Sequence, residues 1–122
     1  MMKNKKIMVC DDDQGILDVL KILLETEDFI VYTEIDSTQV IDEILTHSPD
    51  LLLLDLWMPL LPGDQVLKSI RNTDKIKNLP VIVLSASVDG KDISADAGAD
   101  NFVAKPFDLD DLILKINNLL VN

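Results

Sequence analysis

Five short apolar runs recur along the chain, and each is followed by a segment with helical periodicity. The runs are nearly continuous rather than alternating, which is typical of strands buried on both faces of a sheet. They cover residues 7–10, 30–32, 51–54, 81–84 and 102–104. Strict alternation of strands and helices favours parallel strands joined by right-handed crossovers. The pattern therefore predicts a doubly wound α/β fold, in which helices cover both faces of a five-stranded parallel sheet.

The segments between the runs supply the predicted helices. Asp13, Asp36 and Asp108 are placed as caps of the first, second and fifth helices, and the third helix follows Gly63. Each of these four helices has one apolar face. The predicted inward positions are Ile16, Leu17, Leu20, Leu23 and Leu24; Val40, Ile41, Ile44 and Leu45; Val66, Leu67 and Ile70; and Leu109, Leu112, Ile113, Ile116 and Leu120.

The fourth helix, expected between residues 87 and 97, has the weakest pattern. Ile93 and Ala97 are almost its only apolar residues at helical spacing, and Gly90 interrupts it. Glycine costs about 1 kcal/mol relative to alanine inside a helix. We therefore expect this helix to be short or mobile.

Composition narrows the classes of function. The 122 residues include 22 acidic and 11 basic side chains, for a net charge of −11. Proteins that bind nucleic acid gain affinity by placing Lys and Arg against phosphates, so direct binding to DNA or RNA is not expected. No apolar run is long enough for a signal peptide or a membrane span. Cys10 is the single cysteine, which excludes an internal disulfide and suits a cytoplasmic protein.

Acidic side chains follow two of the predicted strands. Asp11 and Asp12 come directly after the first run, and Asp55 comes directly after the third. Because parallel strands of such a sheet present their carboxyl ends at one edge, we expect the three carboxylates to share a pocket. Their mutual repulsion requires protons or a cation, and Mg²⁺ prefers oxygen ligands of this kind. The sequence therefore predicts a magnesium site suited to phosphate chemistry.

Two further strand ends carry groups that suit a phosphoryl ligand. Ser85 follows the fourth run and offers a hydroxyl, and Lys105 follows the fifth and offers an ammonium group. Taken singly, each candidate has an ordinary explanation, with the acids as caps or strand-end groups and Lys105 as a solvated lysine. Together they form a constellation at one edge of the sheet.

Five separated signatures in this order resemble the receiver domain of two-component response regulators. The resemblance covers essentially the whole chain, so we expect one receiver domain over residues 1–122 and a flavodoxin-like sheet with strand order 2-1-3-4-5. The signatures are Val9-Cys10-Asp11-Asp12, Leu54-Asp55 with Met58-Pro59 and Gly63, Leu84-Ser85-Ala86, Ala97-Gly98-Ala99, and Lys105-Pro106-Phe107.

The resemblance implies a phosphoacceptor and a metal site. Asp55 would accept a phosphoryl group from the phosphohistidine of a sensor histidine kinase or a phosphotransfer protein. Asp11 and Asp12 would hold Mg²⁺ together with Asp55 and the backbone carbonyl of Trp57. The chain would then be a signalling module that assists its own phosphorylation and dephosphorylation, rather than an enzyme acting on separate substrates.

The resemblance also implies a switch. Ser85 and Lys105 would bind the phosphoryl oxygens, and Phe102 would occupy an aromatic position that rotates inward as Ser85 moves. Core packing is the alternative for Phe102. The changed surface would be formed by the fourth helix, the fifth strand and the fifth helix, and a homodimer could form through it. The family also implies a cis bond between Lys105 and Pro106.

One loop departs from the family pattern. The family commonly carries Asp or Asn before the glycine of the turn after Met58 and Pro59, and this chain has Pro62 before Gly63. The Pro-Gly pair predicts a tight turn, because Pro presets the first central position of a turn and Gly tolerates positive φ at the next.

A second family offers an enzymatic alternative. Asp11-Asp12-Asp13 is similar to the Asp-x-Asp start of haloacid dehalogenase-like phosphatases, which use Mg²⁺ and an aspartyl nucleophile. That family has Thr or Val shortly after its second Asp, whereas Gln14 and Gly15 follow here, and the chain has no room for a substrate-capping domain. A pseudo-receiver, which only binds partners, would lack the acceptor or the lysine, and both are present.

Overall fold

The fold is one parallel sheet covered on both faces by helices. A computed structural model describes residues 4–87 and 89–121. Its strands are β1 (Lys6–Cys10), β2 (Ile30–Glu34), β3 (Leu51–Asp55), β4 (Val81–Ser85) and β5 (Asn101–Ala104). All neighbouring strands pair in parallel, in the order β2-β1-β3-β4-β5. This confirms the predicted fold class and strand order, and each strand matches its apolar run to within two residues.

Five α-helices connect the strands. They are α1 (Gln14–Thr26), α2 (Val40–His47), α3 (Gly63–Arg71), α4 (Gly90–Ala97) and α5 (Leu109–Leu120). Buried residues of α2, α3 and α4 pack in one cluster, whereas those of α1 and α5 pack in another cluster with the other side chains of the sheet. The two layers account for the continuous apolar runs, because both faces of the central strands are buried.

Two of the predicted N-caps are confirmed, and one caps a different element. The Asp13 carboxylate accepts hydrogen bonds from the backbone of Gly15 and Ile16 at the start of α1, and Asp108 caps α5 by accepting from Asp110 N. Asp36 instead caps a 3-10 turn at Ser37–Gln39 that precedes α2. Capping the preceding turn still satisfies a backbone donor at the entry to α2.

The predicted apolar face of α2 was wrong at one position. Val40 and Ile44 are fully or almost fully buried, but Leu45 is 44% exposed. Leu45 lies beside Pro49 and Pro80 in an open groove at the amino-terminal edge of the sheet. Helical spacing shows that a residue lies at the edge of the apolar face of a helix. Whether that residue is buried depends on the neighbouring loops, which the spacing does not describe.

Gly90 does not interrupt α4 but is its first residue, and it is buried. The helix is eight residues long, as short as α2. Part of the predicted segment, Val88, lies outside the described residues. The helix ends at Gly98, whose φ of 104° is in the left-handed region that glycine adopts without strain.

Arg71, the last residue of α3, anchors the carboxyl end of α4. Its Nε donates to the Gly98 carbonyl at 2.9 Å, and Nη1 donates to the Leu79 carbonyl at 2.7 Å. Its Nη2 donates to Asp100 Oδ2 at 2.9 Å, and the same oxygen accepts from Val81 N at 2.8 Å. One guanidinium group therefore joins α3, the end of α4 and the start of β4.

Gly63 does not adopt the positive φ that the predicted turn allows for. The residue with positive φ in this loop is Leu60, with a φ of 68°, and Gly63 is the first residue of α3. Gly63 N donates to the Leu56 carbonyl at 2.8 Å. A Cβ on Gly63 would collide with the Asp55 carbonyl oxygen and lie 2.8 Å from the Leu56 Cα. Glycine is needed here for close backbone approach rather than for a left-handed turn.

Candidate functional site

The strand register brings the predicted site residues to one edge of the sheet. Cys10 pairs with Leu54 across β1 and β3, so Asp11 and Asp55 each follow by one residue. Asp55 in turn pairs with Leu84, which places Ser85 one residue beyond it on β4. Parallel pairing thus aligns the ends of three neighbouring strands, as the sequence predicts.

Asp11, Asp12 and Asp55 form a cluster. One carboxylate oxygen from each lies within 4.8 Å of the other two. Asp11 is fully buried, Asp55 is 5% exposed, and Asp12 is exposed. The cluster therefore has a buried floor and an open rim through which a small anion or a cation can enter.

Lys105 provides the positive charge of the site. Its Nζ donates to Asp11 Oδ2 at 2.8 Å and lies 3.3 Å from Asp55 Oδ1. The peptide bond between Lys105 and Pro106 is cis, as the resemblance implies. The second oxygen of Asp11 accepts a hydrogen bond from Asp13 N at 2.9 Å, so both of its oxygens have a donor. Lys105 thus bridges two carboxylates that would otherwise repel each other across the cluster.

The charges of this cluster shift the proton affinities of its members. Burial and the neighbouring Asp11 carboxylate raise the pKa of Asp55 from 3.8 to about 6, although Lys105 opposes the shift. Burial disfavours the charged form of Lys105, but its hydrogen bonds and ion pairs with Asp11 and Asp55 outweigh burial and raise its pKa. A further positive charge in the cluster would therefore favour the ionised form of Asp55.

Cys10 lies just beneath the site. It is fully buried on β1, and its Sγ lies 3.6 Å from the Met58 sulfur. Burial, reinforced by Glu34 and Asp11, raises the pKa of the Cys10 thiol far above its usual range. The thiol therefore stays protonated, and Cys10 packs as a small buried hydrophobe.

Ser85, Phe102 and Trp57 lie around the cluster rather than within it. Ser85 is fully buried, and its Oγ accepts a hydrogen bond from Ser87 N at 3.1 Å. Phe102 is partly buried and packs on the α2–α3–α4 side of the sheet. Trp57 is 52% exposed two residues beyond Asp55. The structure thus brings together three acids and Lys105, whereas Ser85 and Phe102 lie on the side of the sheet that faces α4.

The donor set fits a hard divalent cation. Its side-chain ligands are carboxylate oxygens only, and two of them are buried where an uncompensated pair of negative charges is costly. Magnesium accepts one or two carboxylates and completes its coordination with water or phosphoryl oxygens. The residues present therefore match the ion that the sequence predicted.

Fold and site together define a class: a doubly wound α/β domain with an acidic, lysine-bridged pocket at the carboxyl ends of its strands. The family model described as "Response regulator receiver domain" matches residues 7–117. The chain therefore belongs to the response regulator receiver family, and it is a receiver domain of two-component signal transduction. The haloacid dehalogenase-like alternative gains no support.

Individual relatives agree with this assignment. The response regulator ArlR of Staphylococcus aureus is 33% identical over 117 residues, which are 94% of this chain and 52% of that protein. The chain thus spans about half the length of the curated relatives it matches. The receiver domain of Francisella response regulator 1452 superposes with a TM-score of 0.88 at 34% identity, over 96% of this chain and 97% of that one. A Chloroflexus aurantiacus protein described as a response regulator gives a TM-score of 0.94 at 25% identity, over 98% of this chain and all of that one.

Receiver domains are signalling domains that interact with histidine kinases and phosphotransfer proteins. Within the described residues, no helix combines the length and the hydropathy that a membrane span requires.

Two backbone features of the site were missed from the sequence. Asp13 N holds the Asp11 carboxylate in place, and Gly63 allows α3 to start directly over the Asp55 carbonyl. No residue type signals the first, because any non-proline residue supplies the N–H group. The close approach of α3 did have a sequence signal, because a glycine, Gly63, follows Asp55 by eight residues. We interpreted this glycine as part of a turn.

Proposed function

We propose that Asp55 accepts a phosphoryl group from a phosphohistidine of a partner kinase or phosphotransfer protein. The observation that carries this proposal is the position of Asp55, which lies 3.3 Å from Lys105 Nζ and within 4.8 Å of carboxylate oxygens of Asp11 and Asp12. A carboxylate Oδ attacks phosphorus, the bond from phosphorus to the donor nitrogen breaks, and the donor imidazole keeps the electron pair. The product is an aspartyl phosphate.

The residues around Asp55 would assist this transfer by neutralising charge. Negative charge spreads over the equatorial oxygens during phosphoryl transfer, so the attacking carboxylate needs positive charge nearby. Lys105 supplies one such charge, and Ser85 would donate a hydrogen bond to a phosphoryl oxygen. We assign Asp11, Asp12, Asp55 and the Trp57 carbonyl as ligands of Mg²⁺, which would neutralise the attacking carboxylate and the phosphoryl oxygens when bound. On this assignment the chain is a phosphoacceptor rather than an enzyme with separate substrates.

The surface beside the pocket supports a macromolecular donor. Asp55 is 5% exposed at the carboxyl end of β3, so a phosphodonor has to approach it from that edge of the sheet. Ile16, Val19 and Phe107 line an open, mainly apolar depression next to the N-cap of α1. Val19 is 53% exposed, and Ile22, one turn further along the helix, is 65% exposed. Apolar side chains exposed at the rim of a charged pocket are suited to protein contact.

The output proposal concerns the opposite rim of the site. Phosphorylation would draw Ser85 and Lys105 toward the phosphoryl group and let Phe102 move, which would change the surface formed by α4, β5 and α5. We propose that a homodimer can form through this changed surface.

Three further proposals concern the domain as a whole. We propose that residues 1–122 act as one receiver unit. We also propose that the domain works in the cytoplasm and that it does not itself bind nucleic acid.

Trp57 fluorescence offers a direct test of the acceptor assignment. Trp57 is the single tryptophan of the chain and lies two residues from Asp55. We expect its emission to change on addition of Mg²⁺ and to change again on addition of beryllofluoride, a mimic of the phosphoryl group. In Asp55→Asn the second change should disappear. No response in the parent protein, or the same response in Asp55→Asn, would contradict the assignment.

The raised pKa of Asp55 predicts a pH dependence of Mg²⁺ affinity. A metal ion competes with the proton for the same carboxylate, so affinity should fall as the pH drops through about 6. Below that pH we expect the apparent affinity to weaken by roughly tenfold per pH unit. Titration of Trp57 emission with Mg²⁺ at several pH values measures this dependence. An affinity that stays constant between pH 8 and pH 5 would show that Asp55 is not a ligand.

A further inference from the structure

Gly90 touches two residues of the proposed switch at once. It is the first residue of α4 and is buried. A Cβ built on Gly90 would lie 3.0 Å from the Phe102 ring atom Cε1, and 3.0 Å from both Cβ and Oγ of Ser85. Contacts this close would force the neighbouring side chains to shift. Among the twenty side chains, only the hydrogen of glycine leaves this space as it is.

The Ser85 hydroxyl is engaged on the α4 side of β4 in this structure. Its Oγ accepts from Ser87 N, in the loop that leads to α4, and it lies 3.0 Å from the position that a Cβ on Gly90 would occupy. To donate to a phosphoryl oxygen on Asp55, the hydroxyl has to turn away from this position. That rotation would remove the Ser85 Oγ from the space beside Gly90, which the Phe102 ring already borders.

We infer that Gly90 is a positioning residue of the switch: the absence of its side chain keeps open the space into which the Phe102 ring moves when Ser85 turns to the phosphoryl group. The inference rests on the proposed function of Asp55 and Ser85. It assigns to Gly90 no part in phosphoryl transfer. A methyl group at position 90 would fill the space and leave the phosphoacceptor intact.

The surroundings of Phe102 show where the ring can lie when this space is closed. The ring borders an open groove of about 190 Å³ between α4 and β5, together with Lys91 and Ser94. A side chain at position 90 would therefore displace the ring outward, into the groove, rather than into the core. The variant protein should fold, with Phe102 held on the outer side.

Gly90→Ala should separate binding of the phosphoryl mimic at the site from the response of Phe102 and α4. We would record amide resonances of ¹⁵N-labelled protein before and after Mg²⁺ and beryllofluoride. In the parent, we expect shifts at the site, reported by Trp57 and Lys105, and at the α4 side, reported by Ile93 and Phe102. In Gly90→Ala, the shifts at the site should remain, whereas those on the α4 side should fall at least about fivefold.

Lys91→Ala is the matched control, because it also introduces alanine into the first turn of α4 but at an exposed side chain. It should behave like the parent. Full α4-side shifts in Gly90→Ala would overturn the role of Gly90 while leaving the proposed function standing. Absence of any shift at Trp57 and Lys105 in the parent would overturn the proposed function, and the inference would fall with it.

A stability measurement tests the contact itself. Phe102→Leu removes the ring atom that a methyl group at position 90 would meet. The loss of melting temperature caused by Gly90→Ala should therefore be smaller in the Phe102→Leu background than in the parent. Equal losses in the two backgrounds would overturn the steric argument, and the double variant also supplies a folded protein if Gly90→Ala alone is unstable.

Discussion

We expect Asp55→Asn to abolish phosphoryl uptake and to make the metal-free protein more stable. The amide lacks the nucleophilic carboxylate oxygen, so labelling by a small phosphodonor should fall by roughly 100-fold or more. Intact-mass measurement after incubation with the phosphodonor and Mg²⁺ shows whether one phosphoryl group has been added. The two effects have opposite signs, and this combination distinguishes loss of the acceptor from simple misfolding.

The gain in stability follows from the raised pKa of Asp55. A carboxyl group with a higher pKa in the folded state stabilises the fold below its unfolded pKa of about 3.8 and loses this contribution as the pH rises through about 6. At pH 7.5 the ionised Asp55 therefore opposes folding. Removing its charge should raise the free energy of unfolding by about 1–3 kcal/mol, and the gain should shrink as the pH is lowered toward 4.

Asp74→Asn is the matched control for this experiment. Asp74 is an exposed carboxylate in the segment between α3 and β4, at the opposite edge of the sheet. Its substitution should leave phosphorylation unchanged and alter stability by less than about 0.5 kcal/mol. Continued labelling of Asp55→Asn would place the acceptor elsewhere, and a loss of stability at pH 7.5 would show that the Asp55 charge is well compensated in the fold.

Lys105→Met should be the most destabilising single change at the site. It keeps the length of the side chain but leaves the buried Asp11 and Asp55 carboxylates without their shared cation. Breaking a buried ion pair from one side costs about 3–5 kcal/mol when the remaining charge cannot be relieved. Because Asp55 can take up a proton, we expect about 2–4 kcal/mol at pH 7.5 and a smaller loss at pH 5. Chemical denaturation at the two pH values measures both.

Lys21→Met provides the comparison for Lys105→Met. Lys21 pairs with Glu25 at 3.0 Å on the surface of α1, and both side chains are nearly half exposed. Exposed pairs of this kind contribute about 0.3–0.5 kcal/mol, so the substitution should have little effect at either pH. Equal losses for the two lysine variants, or a loss for Lys105→Met that grows at pH 5, would contradict the role of Lys105 as the cation of the cluster.

The strands and the position of the site could be predicted from the sequence, because both depend on how apolar residues are spaced along the chain. Continuous apolar runs identified all five strands, and parallel topology then implied that Asp11, Asp55 and Lys105 meet at one edge. This prediction needed no knowledge of side-chain conformation, because the carboxyl ends of all strands in a parallel sheet lie at the same edge. The carboxylate cluster and the lysine bridge therefore followed from order along the chain.

The parts that were not predictable depend on single contacts between distant segments. The exposure of Leu45 depends on loops on either side of α2, and the roles of Gly63 and Gly90 depend on what lies a few ångströms from each Cα. Sequence shows that a residue is glycine but not whether it serves a turn, a close approach or a space left for another side chain. Both glycines were interpreted as local signals, and both act through tertiary contacts.

The hydrogen bonds of Arg71 fix the carboxyl end of α4, whereas they do not restrain its first turn. The guanidinium holds the carboxyl end of the helix at Gly98, whereas the first turn at Gly90 adjoins Ser85 and Phe102. Eight residues of α-helix span about 12 Å, so a small displacement at the first turn becomes a tilt rather than a translation. An optical reporter attached at Lys91 would therefore sit where the motion is greatest, and one attached beside Asp100 would sit at the pivot and serve as its reference.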